Sequence, residues 1–274
     1  MADVSAERVH HESLAREMLA RDAALLTDAV REAGALALSL FRTELKNWTK
    51  GASSPVSEAD IRTNDLLESR LRSATPDYGW LSEETPDSAD RLALDTVFIV
   101  DPIDGTRAFV AGEETWAHSL AVAHQGKVTA GVVYLPALDR MYTASDTAPP
   151  LKDGQPIAAS AREALTGANI LTTKANLVPE KWPGGVPEIT RSFRASLAYR
   201  MCLAAEGRFD GMLTLRDSWE WDIAAGSLIA ERAGAVVTDR QGKALRFNTP
   251  GAMTAGVLAV PPKLHAEAML RLTG

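Results

Sequence analysis

The stretch that most constrains this chain is Asp101-Pro102-Ile103-Asp104-Gly105-Thr106, which directly follows the apolar, β-branched run 96–100. Such a run reads as a buried strand. Its two carboxylates then sit where the strand leaves the core. Pro102 stiffens the backbone there, Gly105 permits a close turn, and Thr106 can open a helix whose free N–H groups favour an anion. An ordinary turn with two solvated aspartates has the same composition, so the stretch has to be weighed with the other acids.

Three more acidic elements stand out. Glu83-Glu84 follows the strand candidate 78–81, and Asp222 lies at a helix start in Trp221-Asp222-Ile223-Ala224-Ala225-Gly226. Asp60 closes Ser57-Glu58-Ala59-Asp60, a pattern that also reads as a capping box. Each has a structural explanation of its own: a wet loop, helix-dipole compensation, a helix cap. Their meaning changes if they meet in space. Two carboxylates about 4 Å apart repel by about 4 kcal/mol at an effective dielectric of about 20, so a cluster needs protons or cations to persist. Oxygen-only ligands point to hard ions, Mg²⁺ before Zn²⁺. Such a cluster can hold phosphate oxygens and activate water.

Rival chemistries fail on particular residues. The haloacid dehalogenase phosphatases use Asp-x-Asp-Gly-Thr, and Pro102 occupies the place of their nucleophile. Ile103 and Gly112 spoil a calcium-binding EF-hand loop, and no Gly-Lys-Ser/Thr phosphate loop is present.

The 274 residues suffice for one large domain or two modest ones. A net charge of −7 with no Lys/Arg run argues against binding nucleic acid polymers. Cys202 is the only cysteine, which excludes a disulfide framework and fits a reducing cytoplasm. No apolar signal core or membrane-length run is present, so a soluble cytoplasmic protein is expected. The histidines (His10, His11, His118, His124, His265) form no metal-spaced pair and read as surface or packing residues.

A polar, frayed tail through His10-His11 precedes a helix over 12–46, with Leu25, Ala29, Ala33, Leu36 and Leu40 as its apolar stripe. A loop over 47–55 leads to Ser57 as N-cap of a helix reaching about residue 73. Strands are expected at 119–123 and 128–134, joined as a hairpin at Gln125-Gly126-Lys127, and at 141–144. Pro149-Pro150 and Lys152-Asp153-Gly154 mark a junction between an N-terminal α+β domain, 1–150, and a C-terminal α/β domain, 151–274. The second half alternates strands at 169–172, 211–215 and 256–260 with helices at 196–205, 221–232 and the C-terminus. A hairpin is expected at Arg240-Gln241-Gly242. Alternation of this kind suggests layered α/β architecture.

Ser82-Glu83-Glu84, Asp101 to Thr106 and Trp221 to Gly226, in that order, resemble the motifs of the inositol monophosphatase superfamily, and the likeness covers the chain from about residue 14. The resemblance implies a layered α/β/α/β/α sandwich and a phosphatase using two or three Mg²⁺ ions, typically inhibited by lithium. It makes Glu83, Asp101, Asp104, Asp222 and the Ile103 carbonyl metal ligands. Thr106, helped by Glu83, would orient the attacking water, and Asp60 would help bind the more weakly held metal. Backbone N–H groups of Gly105 and Thr106 would hold the phosphate.

Within the superfamily the chain is most similar to bacterial 3′(2′),5′-bisphosphate nucleotidases, through Lys50, 54–60, 81–84, 203–207 and Glu220-Trp221-Asp222. Inositol-specific members carry an acid about seven positions before the late metal Asp, where this chain has Leu215 beside Arg216. The nucleotidases' Gly-Ser-Ser-Leu-Lys is here Arg194-Ala195-Ser196-Leu197-Ala198, with Arg200 as replacement for the lost charge. Lys50, Arg194, Ser196, Arg200 and Glu220 are the expected substrate contacts. Alternatives are an inositol-1-monophosphatase, a sugar or histidinol phosphate phosphatase, and an inactive binding protein of this fold. A homodimer is expected by analogy with the family.

Overall fold

The computed structural model describes residues 2–44, 46–50 and 54–273, with side chains at 17–44, 46 and 56–273. The first half comprises α1 (Ala2–Leu40), the hairpin β1 (Asn47–Lys50) and β2 (Ser54–Ser57), α2 (Glu58–Ala74), β3 (Gly79–Ser82), β4 (Thr96–Asp104) and α3 (Thr106–Val110). It continues with β5 (Ala117–His124), β6 (Lys127–Leu135), β7 (Arg140–Ser145), β8 (Ala148–Lys152) and β9 (Gln155–Pro156). The second half comprises β10 (Asn169–Leu171), β11 (Thr190–Ser192), α4 (Leu197–Ala205), β12 (Gly211–Thr214), β13 (Ser218–Trp219) and α5 (Glu220–Arg232). The chain closes with β14 (Val236–Thr238), β15 (Met253–Thr254), β16 (Val257–Val260) and α6 (Pro262–Thr273).

Strands β3 to β9 form one sheet in chain order, antiparallel except for the parallel β3–β4 pair. Helices α1 and α2 cover one face, burying Leu26, Val30, Leu67 and Leu71 against Phe98, Val100, Leu120 and Val132. Helices α4 and α5 cover the other face and are shared with a second sheet of order β11-β10-β12-β16-β14. Helix α6 closes the far side through Leu264 and Ala268. The layers therefore run α/β/α/β/α, as expected. Small residues let the helices lie close on β6. A Cβ on Gly34 of α1 would come within 2.5 Å of the Tyr134 ring, and one on Gly131 within 3.0 Å of Ala225 of α5. No helix among the described residues is long and apolar enough to cross a membrane.

Several local expectations need correction. Helix α1 begins well before residue 12 and stops at Leu40, because Arg42 takes a left-handed conformation at φ 61°. Its buried stripe is Leu26, Ala29, Val30, Ala33 and Ala37, so Leu25, Leu36 and Leu40 lie at its margin. The expected loop over 47–55 contains the β1–β2 pairing. Pro149-Pro150 falls inside β8, which pairs with both β7 and β9, so the larger sheet continues past the expected 150/151 division. The turn at Arg240-Gln241-Gly242 exists, but it joins no hairpin: β14 pairs with β16.

Candidate active site

The site is built around an irregularity in β4. The strand does not stop at Val100; it runs on to Asp104. Asp101 pairs with Ser119 and Asp104 with Ala117, so three steps on β4 face two on β5. This bulge supplies the place where a proline, having no N–H, is tolerated in a sheet. Within it the Ile103 N–H donates to Asp101 Oδ1 at 3.0 Å. Gly105 follows at φ 101° and caps α3.

Asp104 is fixed from the second half of the chain. Its Oδ2 accepts from Ser196 Oγ and from the Ala198 N–H, both at 2.6 Å, at the start of α4. Asp222 arrives on the first turn of α5. Ser119 Oγ, from the residue paired with Asp101, donates to the Trp221 carbonyl at 3.0 Å and ties that turn to the sheet. Carboxylate oxygens of Asp101, Asp104 and Asp222 thereby lie within 4.8 Å of one another, with Asp101 and Asp104 buried. Glu83 follows β3, and its N–H donates to the Val100 carbonyl at 3.3 Å, one residue before Asp101.

Packing acids together out of water raises their pKa values. For Asp101 burial is the largest cause, followed by the charges of Glu83, Asp104 and Asp222. Asp222 is raised by burial and then by Asp104 and Glu83, with Arg216 opposing. Asp104 is also raised by burial, against the hydrogen bonds from Ser196 and α4. The donor set is therefore oxygen-only, crowded and short of counter-charge, which fits a hard divalent cation.

Asp60 lies beside this cluster in two roles. Its Oδ2 accepts from Ser57 N–H (2.8 Å) and Ser57 Oγ (2.6 Å), which makes the expected cap of α2. Its Oδ1 accepts from Thr106 Oγ1 at 2.9 Å, with the Ile103 carbonyl 3.1 Å from the same hydroxyl. Burial raises Asp60 to about 6 against the Ser57 and Thr106 hydrogen bonds. The hydroxyl expected to work with Glu83 is thus engaged by Asp60.

Four expected substrate contacts, Ser196, Glu220, Arg200 and Arg194, have partners inside the protein. Ser196 is fully buried, bonds Asp104 and accepts from the Tyr199 N–H, so it positions an acid and caps α4. Glu220 is fully buried and accepts from the N–H groups of Asn248 (2.7 Å) and Thr249 (2.9 Å), so it anchors a loop. Arg91 grips the same loop through Asn248 Oδ1 (2.7 Å) and the Thr249 carbonyl (3.0 Å). Arg200 is 6% exposed, donates to the Arg194 carbonyl at 2.6 Å and lies over the Phe193 ring at 4.4 Å. Burial lowers it to about 10 while the charge of Asp104 supports it, so it serves as internal counter-charge. Arg194 folds back onto the Phe193 carbonyl at 2.6 Å. The Lys50 side chain lies outside the described residues.

His118, read from the sequence as a surface or packing residue, has a polar partner in the bulge. His118 is fully buried on β5 and its Nδ1 bonds the Pro102 carbonyl inside the bulge. Burial lowers it to about 4, so the ring is neutral at neutral pH. Its only sequence signal was a histidine in an otherwise small and apolar strand.

Comparison with known proteins agrees with this geometry. Residues 18–273 match the model of the inositol monophosphatase family. The chain is 35% identical over 208 residues to the inositol-1-monophosphatase of Rhizobium meliloti (strain 1021), covering 70% of this chain and 75% of that protein. It is 34% identical over 203 residues to the 3′(2′),5′-bisphosphate nucleotidase CysQ of Salmonella typhimurium, covering 72% and 81%. The crystal structure of the extragenic suppressor protein suhB from Bartonella henselae superimposes with a TM-score of 0.76 at 26% identity, over 90% of this chain and 96% of that one. The chain belongs to the inositol monophosphatase family, a family of phosphatases.

Proposed function

We propose that the chain is a Mg²⁺-dependent phosphomonoesterase that hydrolyses a small phosphorylated metabolite by direct attack of water. The observation that carries this reading is the convergence of Asp101, Asp104 and Asp222 oxygens within 4.8 Å. These three, with Glu83 and the Ile103 carbonyl, would hold Mg²⁺. When bound, Mg²⁺ supplies Lewis-acid charge for the phosphate oxygens and makes water a better nucleophile. The chain's own groups do the rest. Thr106 Oγ1 gives its proton to the hydrogen bond with Asp60, which leaves its lone pairs free to accept from the attacking water. Asp60, raised to about 6, is ionised at neutral pH and near the pH at which a base is most effective. N–H groups of Gly105 and Thr106 would orient the phosphate.

We further propose adenosine 3′,5′-bisphosphate as the substrate. The segments 54–60 and 220–222 and the similarity to the Salmonella nucleotidase support it. So do two side chains close to Asp222 in the sequence. Arg216 is exposed and its charge acts on Asp222 and Arg200, which suits a second phosphate. Trp219 is 43% exposed and stacks on Trp221 at 4.7 Å and 10°, three residues before Asp222, offering a flat apolar face to a base. The similarity to the Rhizobium enzyme favours inositol 1-phosphate as the second reading. Steady-state phosphate release in Mg²⁺ separates them. We expect kcat/KM for the bisphosphate to exceed that for inositol 1-phosphate by about tenfold or more, the worth of one charged hydrogen bond. Equal or better turnover of inositol 1-phosphate would overturn the nucleotide assignment and leave the phosphatase reading standing.

A further inference from the structure

We propose that His118 is a positioning residue for the metal-binding bulge, acting through the Pro102–Ile103 peptide to set the direction of the Asp101 carboxylate. The inference rests on reading the acid cluster as a cation site.

The geometry is that of one peptide unit held at both ends. His118 Nδ1 faces the Pro102 carbonyl, and a carbonyl oxygen can only accept, so Nδ1 carries the hydrogen. The other end of the same peptide is the Ile103 N–H, which donates to Asp101 Oδ1 at 3.0 Å. A peptide is planar, so fixing the carbonyl fixes the direction of the N–H. The next carbonyl, of Ile103, lies 3.1 Å from Thr106 Oγ1. Tilting this one peptide would therefore disturb Asp101, the Ile103 carbonyl and Thr106 together. The bulge gives such a tilt room, because β4 there carries one residue more than β5 can pair.

Two further observations set His118 apart from a packing residue. With the hydrogen on Nδ1, Nε2 is a bare acceptor, and it is buried without a hydrogen-bond partner. Burial of an unsatisfied nitrogen is unfavourable, so an apolar side chain would serve packing better. The ring is also fixed in place, with Trp116 edge-on at 5.5 Å and 73°. His118 makes no hydrogen bond to a carboxylate of the cluster; its influence passes through the peptide, as the outer partners of metal ligands do elsewhere.

The test is Mg²⁺ binding to the full chain by titration calorimetry, with the metal alone and no substrate, beside thermal unfolding of each variant. His118→Leu keeps bulk and removes the donor. His118→Asn places an amide N–H where Nδ1 was. We expect His118→Leu to weaken Mg²⁺ binding by about ten- to a hundredfold. We expect His118→Asn to stay within about threefold of the parent, since its amide still donates. A lower melting temperature in His118→Leu with unchanged Mg²⁺ affinity would overturn the proposal, because that is what packing alone predicts. Equal weakening in both variants would overturn it too. If the parent protein binds no Mg²⁺, the cation-site reading falls and takes this inference with it. If the parent binds and His118→Leu binds equally well, only this inference falls.

Discussion

Asp104→Asn is expected to lower phosphate release by at least about a thousandfold, since losing several kcal/mol of transition-state charge stabilisation costs a factor of ten for each ~1.4 kcal/mol. The substitution keeps volume and keeps an oxygen. That oxygen can still accept from Ser196 Oγ and the Ala198 N–H, so the start of α4 stays tied to β4. Removing one of several crowded buried charges also relieves repulsion on Asp101 and Asp222. Without added metal, thermal unfolding should therefore occur at the same temperature or higher. Turnover and melting measured on one preparation decide the matter. Retained turnover in Mg²⁺ would contradict the role given to Asp104, and loss of both activity and fold would make it a structural residue.

Thr106→Val is expected to reduce kcat by about a hundredfold or more with little change in KM, the range for losing a positioned proton acceptor. Valine matches threonine in shape, so the Asp60 cap on α2, made with Ser57, survives. The pH profile gives the same test a sign. Asp60 must be ionised to take up the proton chain from Thr106 Oγ1, and its pKa is raised to about 6. Activity of the parent should fall as pH drops through about 6. In Thr106→Val the residual activity should lack the part of that limb owed to Asp60. A variant with parental kcat, or one whose loss lies wholly in KM, would remove Thr106 from the proton path.

What the sequence disclosed and what it hid divide along contact range. Ser57 as a cap, α2 and α5 as helices, and the buried run before Asp101 are local patterns, and they stand. The continuation of β4 through Asp101-Pro102-Ile103-Asp104 was hidden, because proline normally ends a strand and a bulge is specified only by its partner β5. The partner of β14 was hidden as well. Asp239 makes the local turn by accepting from Gln241 and Lys243, yet the strand to pair with begins at Val257. The same limit governs the site. Of the acids expected in one cluster, Asp101, Asp104 and Asp222 do meet, since their order and motifs carried that information. The internal partners of Ser196 and Glu220 were hidden, because they lie 92 and 28–29 positions away. A buried polar side chain is defined by the group it satisfies, and sequence spacing does not name that group.

This acid cluster is expected to work only with a divalent cation. Phosphate release by chelator-treated protein, followed while Mg²⁺ is restored in steps, tests it most directly. No release above the uncatalysed rate is expected before Mg²⁺ is added, and a saturable rise is expected as it is restored. Full phosphatase activity in the chelated protein, unchanged by Mg²⁺, would contradict it.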